Sequence, residues 1–264
     1  MNQKSGIKNY TLDAKRYSLT IGWLYPKLMS TYGDRGNIIV LQKRCEWRKI
    51  ETGIKMIDAL STNKELASCD LLMMGGAQDT QQEAVAKDLA KKKQVFQKMI
   101  EDGIPGLYIC GGFQYLGKHY KTADGTKLPQ LGILDMHTEN PGRERLIGNI
   151  VIDANSLFGK QTILIGFENH GGRTILGSKI KPLGKVIKGF GSNDKSNEEG
   201  AVYKNTIGTY LHGPILSKNP ILADFLIEKA LEVKYKERVT LEKLDDSLEE
   251  KARITIAKRL SIAI

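Results

Sequence analysis

The stretch Leu107-Tyr108-Ile109-Cys110-Gly111-Gly112-Phe113-Gln114 decides how the rest of the chain reads. A short apolar run stops at a cysteine, two glycines follow, and helical spacing then begins (Phe113, Leu116, Tyr120). Strand, sharp turn and helix in that order place a nucleophile at the tip of the turn. Backbone crowding at such a turn calls for residues without side chains, here Gly111 and Gly112. A helix starting behind the cysteine aims backbone N–H groups at its sulfur and favours the thiolate. A buried cysteine at a strand end, followed by an ordinary glycine turn, is the bland alternative.

Upstream of this stretch, strand and helix patterns alternate. Tyr17 to Tyr25 reads as a first strand, followed by a loop holding Tyr32-Gly33-Asp34-Arg35-Gly36-Asn37. A helix is expected over 37–52 and strands at 54–59 and 69–74, the last running into Gly75-Gly76. Asp79 is placed to cap a long helix reaching Glu101. The expected fold is α/β and flavodoxin-like, with a mostly parallel sheet and helices on both faces. Downstream, short strands at 131–137, 147–152, 162–168, 186–190 and 201–203 suggest an added β meander. A strand over 206–211 ends at His212-Gly213-Pro214, followed by a helix at 220–233 and a charged amphipathic helix within 241–264. Residues 1–16 read as a flexible lead-in and 17–264 as one domain.

The 264 residues are 41% hydrophobic, enough for a sizeable core. The net charge is +10, but the basic residues are dispersed. The densest run, Lys91-Lys92-Lys93, lies inside a helix pattern, and no aromatics interleave it as in single-stranded nucleic-acid sites. A solvated face is the better reading, with attraction to an acidic partner or lipid-linked substrate as the alternative. No apolar run has the length of a membrane span, and the basic N-terminus leads into no signal-like stretch. Three cysteines (Cys45, Cys69 and Cys110) argue against a disulfide framework and for a reducing cytoplasm.

Sites in parallel sheets gather at the C-terminal ends of strands, where Gly75-Gly76, Cys110 and His212 all fall. A cysteine nucleophile needs a base close in space. Of the four histidines, His119 is expected in the helix behind Cys110, pointing away, and His137 in the meander. His170 and His212 are both flanked by glycine at strand ends, and His212 is chosen because it ends a strong parallel-strand pattern. The N–H groups of Gly76 and Gly111 are expected to form an oxyanion hole. A plain tight turn at Gly76 fits equally well.

The spacing Cys110-x-Gly112-x-Gln114 resembles the nucleophile elbow of class I glutamine amidotransferases. With Tyr210-Leu211-His212-Gly213-Pro214, it resembles their CobB/CobQ-like, cobyric-acid-synthase-like branch. Further blocks are Tyr32 to Asn37, Gly75-Gly76-Ala77-Gln78-Asp79 and Gly166-Phe167-Glu168-Asn169-His170-Gly171-Gly172-Arg173-Thr174. Together they resemble the glutaminase subunits of bacterial lipid II isoglutaminyl synthases. The resemblance implies a Cys110/His212 pair that releases ammonia from L-glutamine, with Gln114 and Arg145 binding the glutamine and Arg143 as the alternative arginine. It implies no cofactor in this chain. The partner would be a Mur-ligase-like subunit, MurT, that binds ATP and Mg and amidates the D-glutamate of the lipid II stem peptide, at the inner face of the membrane. A glutaminase for a different cobyrinate-type amidotransferase is the rival reading, and a non-catalytic binding module a third.

One position departs from the class. Its members usually carry a glutamate two residues after the histidine, where this chain has Pro214. The resemblance implies an aspartate supplied by the partner, while a carboxylate elsewhere in this chain, such as Glu168, could also fill the gap.

Overall fold

The computed structural model describes residues 17–30, 33–77, 79–159 and 161–262; of residues 79–84 only the backbone is described. The expected lead-in, Tyr32, Gln78 and the capping role of Asp79 lie outside these limits. Along the chain come β1 (Ser18–Leu24), α1 (Arg35–Trp47), β2 (Glu51–Ile57), α2 (Asn63–Ala67), β3 (Leu71–Met74), α3 (Asp79–Glu101), β4 (Gly106–Ile109) and α4 (Gly111–Tyr115). Next are β5 (His119–Lys121), β6 (Lys127–Pro129), β7 (Met136–Glu139), β8 (Leu146–Asp153), α5 (Asn155–Phe158), β9 (Ile163–His170), β10 (Arg173–Leu176), β11 (Gly184–Lys188) and β12 (Glu198–Glu199). The last are β13 (Ala201–Tyr203), β14 (Thr206–Thr209), α6 (Ile215–Lys218), α7 (Pro220–Tyr235) and α8 (Ser247–Arg259).

The main sheet has the order β13-β14-β4-β3-β1-β2. Five of its strands are parallel, and β13 is antiparallel at one edge. Every residue of β3 and β4 is buried, as a strand covered on both faces requires. The expected α/β layering is therefore present. Thr209 stands opposite Ile109, so β14 and β4 end level with one another. Met74 stands opposite Tyr108, so Gly76 comes level with Cys110. Close packing accompanies this register: a Cβ on Gly208 would collide with the Phe113 ring.

The second half forms two further four-stranded sheets, β10-β7-β5-β6 and β12-β11-β8-β9. β9 is tied to the main sheet where Phe167 and His212 exchange backbone hydrogen bonds, N to O at 2.8 and 3.2 Å. On the opposite side, the buried Arg44 of α1 binds Asp224 of α7 at 2.6 and 2.7 Å and Asp246, just before α8, at 2.6 Å. Only Arg44 is buried, the two carboxylates being partly exposed, so removing them would leave a buried guanidinium unpaired. Among the described residues no helix is long and apolar enough to cross a membrane.

Three expectations are corrected. The helix behind Cys110 is a single turn ending at Tyr115, so Tyr120 and His119 lie on β5 instead. Tyr120 is buried there while its neighbours are half-exposed, a strand alternation that the i, i+3, i+7 spacing concealed. The last helix begins at Ser247, and residues 241–246 lead into it without helical structure.

Candidate active site

Cys110 follows β4 with φ 52° and ψ −106°, a conformation that costs a non-glycine residue about 1–3 kcal/mol. Bonds on both sides hold it there. Its N–H continues the sheet to Thr209 O at 2.9 Å, and its carbonyl accepts from Gln114 N at 2.9 Å. Gly112 N donates to Gly75 O at 3.2 Å, and a Cβ on Gly112 would come within 2.8 Å of Met74 O. Gly112, the second glycine after the cysteine, thus lets the turn close onto β3.

His212 follows β14, and its backbone is fixed by the Phe167 bridge. Its side chain, 1% exposed, lies beside Cys110, both within contact of the Gly76 position. Asp34 is fully buried beside it: Oδ1 stands 3.4 Å from His212 Nδ1, and Oδ2 accepts from Gly76 N at 2.7 Å. Burial alone would lower the imidazole pKa. Hydrogen bonds to Asp34 and Cys110 and their negative charges outweigh it and push His212 up to about 10. Gly76 sits among all three groups. A Cβ there would lie 3.2 Å from Cys110 Cβ, 3.3 Å from His212 Cε1 and 3.6 Å from Asp34 Oδ2.

Two expectations change at this point. The Gly76 N–H, expected at an oxyanion, instead donates to Asp34 in this structure. Glu168 is no partner of His212: its two oxygens accept from Phe190 N at 2.7 Å and Gly191 N at 3.0 Å, and it lies 3.7 Å from His170 Nε2. His170 itself stacks on Tyr210 (centroids 3.7 Å apart) and bonds Gly172 O through Nδ1 at 2.7 Å. Burial lowers its pKa and outweighs the opposing pull of Glu168, so the ring is neutral at pH 7. His119 and His137 stack on each other, 5.0 Å between centroids.

The Gly171-Gly172 turn gathers the residues expected to hold glutamine. Gln114 Nε2 donates to Tyr210 Oη at 3.0 Å and would lie 2.6 Å from a Cβ on Gly172. Tyr210 Oη pairs in turn with Thr174 Oγ1 at 2.7 Å. Arg145 reaches the same turn, its Nη1 3.6 Å from where a Cβ on Gly171 would stand. It donates to Asn169 Oδ1 at 2.8 Å and Asn169 O at 2.7 Å. Arg143 is instead paired with Asp194.

Three buried groups here escaped the sequence reading. Asp34 stood inside a quoted motif but received no role. Arg173 donates to Gly171 O at 2.6 Å and Glu144 O at 2.8 Å, bracing the segment that carries Arg145; burial lowers its pKa. Glu199 accepts from Thr209 Oγ1 and Tyr210 N, both at 2.7 Å, and burial pushes it up to about 7. Asp34 had one readable signal: an aspartate at a helix start, just past the end of the first parallel strand.

A parallel sheet with a strained cysteine and a paired histidine at its strand ends is the arrangement of a glutamine amidotransferase, and the chain belongs to that class: residues 20–220 match the CobB/CobQ-like glutamine amidotransferase domain. More particularly, it is 45% identical over 218 residues to subunit GatD of the glutamine-hydrolysing lipid II isoglutaminyl synthase of Staphylococcus aureus (strain N315), covering 83% of this chain and 86% of that one. The GatD subunit of Streptococcus pneumoniae (strain ATCC BAA-255 / R6) is 40% identical over 232 residues, 88% of each chain. A probable cobyric acid synthase of Methanosphaera stadtmanae is more distant, 34% identical over 62% of this chain but only 33% of its own length. The glutaminase domain of Trypanosoma brucei CTPS with bound acivicin shares the fold, with a TM-score of 0.53 at 12% identity over 85% of this chain and 96% of that one.

Proposed function

We propose that this chain is the glutamine-hydrolysing subunit of a lipid II isoglutaminyl synthase. The meeting of Cys110, His212 and Gly76 carries the reading, in a chain whose GatD relatives match it over most of their length. Cys110 has passed its thiol proton to His212, whose raised pKa favours the thiolate–imidazolium pair, and Sγ attacks the side-chain carboxamide carbon of L-glutamine. The tetrahedral oxyanion is met by Gly111 N–H, which as the first residue of its turn has no carbonyl behind it to pair with. The imidazolium protonates the departing nitrogen, ammonia leaves, and a thioester remains on Cys110. His212 then takes a proton from the water that attacks the thioester, and glutamate is released. Gln114 and Arg145 hold the substrate, Arg145 pairing with its α-carboxylate. Arg143 is the weaker candidate because Asp194 already occupies it.

The GatD relatives are named as subunits, so this chain works with a second one. We take that partner to be a MurT-type, Mur-ligase-like protein. It would use ATP and magnesium to activate the D-glutamate carboxyl of the lipid II stem peptide, which ammonia converts to D-isoglutamine. In bulk water ammonia becomes ammonium, a poor nucleophile, so a sheltered path between the two sites is required. The test is Cys110→Ala in the complex with its co-purifying partner. Glutamine-dependent amidation should disappear while amidation from ammonium chloride persists. Loss of both in a folded complex would overturn this division of labour.

A further inference from the structure

We propose that Tyr210 is a positioning residue for glutamine binding, its hydroxyl deciding which end of the Gln114 amide faces the substrate. This rests on the reading of Gln114 as a glutamine contact.

An amide side chain has two unlike ends of nearly the same shape, a donor NH2 and an acceptor oxygen. Packing by itself does not tell them apart, so a fixed polar neighbour must. Gln114 sits one turn behind the nucleophile, its N–H bonded to Cys110 O at 2.9 Å. Its Nε2 donates to Tyr210 Oη at 3.0 Å. Among the described residues nothing donates to its Oε1, and that atom is not sealed from solvent. The acceptor end is therefore the one left for glutamine. It can take an N–H of the substrate, and the α-carboxylate is left to Arg145.

A phenol with a free proton could donate it to Oε1 and so turn the amide round. The hydroxyls behind Tyr210 prevent this. Tyr210 Oη pairs with Thr174 Oγ1 at 2.7 Å, and Thr174 Oγ1 with Thr138 Oγ1 at 2.8 Å. Because Oη accepts from Gln114, its single proton goes to Thr174, and the proton of Thr174 goes to Thr138. Burial pushes the phenol pKa upward, so that proton stays in place at neutral pH.

Tyr210 is itself held on every side. It is fully buried, His170 stacks on its ring, and Phe113 meets the ring edge-on with centroids 5.4 Å apart. The buried Glu199 accepts from its backbone N–H at 2.7 Å. Gly172 closes the space around the amide, since a Cβ there would stand 2.6 Å from Nε2. His170 and Glu199 take no part in the hydrolysis, and holding Tyr210 gives both a place in the site.

The test measures L-glutamine hydrolysis by the complex with its co-purifying partner. Tyr210→Phe keeps the ring and both aromatic contacts. It should raise KM for glutamine about fivefold or more, as loss of one hydrogen bond does, with kcat within about twofold. Thr174→Val, which removes the acceptor for the phenolic proton, should raise KM likewise, and Thr174→Ser should restore most of it. In a Gln114→Ala background Tyr210→Phe should have no further effect, because the two groups act through one contact. Alkylation of Cys110 by iodoacetamide, which has no amino-acid end, should run at the same rate with or without the Tyr210 hydroxyl. An unchanged KM in Tyr210→Phe, or effects of Tyr210→Phe and Gln114→Ala that simply multiply, overturns the proposal. Slowed iodoacetamide alkylation also overturns it, by showing a general disturbance of the site. Should Tyr210→Phe not fold, the Thr174 variants decide, and equal KM for valine and serine overturns it. Gln114→Ala separates the two readings. If it raises KM while Tyr210→Phe does not, only the role of Tyr210 falls; if it leaves KM unchanged, the reading of Gln114 falls and takes that role with it.

Discussion

Asp34 Oδ1 lies 3.4 Å from His212 Nδ1 although 178 residues separate them in sequence. Both are sealed from solvent, and Gly76 is wedged against each of them and against Cys110. The site is therefore a packing problem as much as a chemical one: whatever disturbs the spacing around Gly76 disturbs Cys110, His212 and Asp34 together.

Gly76→Ala tests that packing directly. The new methyl would stand 3.2 Å from Cys110 Cβ and 3.3 Å from His212 Cε1, both tighter than ordinary contact. The expected result is a fall of about a hundredfold in kcat/KM for glutamine, with a stability cost of about 1–2 kcal/mol. Gly53→Ala, with nothing within 4 Å of the new Cβ, is the control and should leave the rate unchanged.

Backbone strain at Cys110 (φ 52°) predicts a stability ranking. Cys110→Gly and Cys110→Ala should both lose glutamine hydrolysis, but the glycine variant should be the more stable by about 1 kcal/mol. Thermal melts of the two proteins check this, and a more stable alanine variant would show that the turn carries no strain.

Substrate binding should separate the two arginines. Arg145→Ala is expected to raise KM for glutamine at least about tenfold, the loss of one charged hydrogen-bonded pair. Arg143→Ala breaks only its pairing with Asp194 and should change KM less than about twofold. Steady-state kinetics on both variants decides, and equal effects would remove the distinction.

Stability should carry the signature of His212. Its folded pKa of about 10 lies above the unfolded value of about 6.5. The imidazolium's contribution is thus fully present below about 6.5 and lost as pH rises through about 10. His212→Gln lacks it. The difference in Tm between wild type and variant should therefore shrink steadily from pH 6 to pH 10, and a constant difference would refute the raised pKa.

Gly36→Ala should act at a distance. Its Cβ would meet the Pro214 ring, with Cβ of the proline 3.0 Å away. Alanine suits the first turn of α1, so the helix should survive. The start of the helix would have to shift, taking Asp34 away from His212. A drop in kcat with KM unchanged is expected, and unaltered kcat would mean that the Gly36–Pro214 contact does not matter to the site through Asp34.

What the sequence determined by itself was local. Cys110-Gly111-Gly112 behind an apolar run can hardly fold as anything but a strand meeting a sharp turn, and the order of strands and helices gave the parallel sheet. His212 was legible for the same reason, as a polar residue ending a buried strand. Local patterns failed where their periods are ambiguous: Tyr120 fits the spacing of the α4 pattern but alternates with exposed neighbours on β5. The carboxylate beside His212 belonged to the tertiary structure alone. Pro214 showed only that the usual glutamate was absent, and Glu168 was the plausible substitute until its oxygens proved to be taken by Phe190 and Gly191. Asp34 comes to face His212 because β1, β3, β4 and β14 end side by side, and because Gly36 admits the Pro214 ring. A buried carboxylate acquires its meaning from the groups it faces, and those contacts across 178 residues are set by strand register and close packing, which no local spacing encodes.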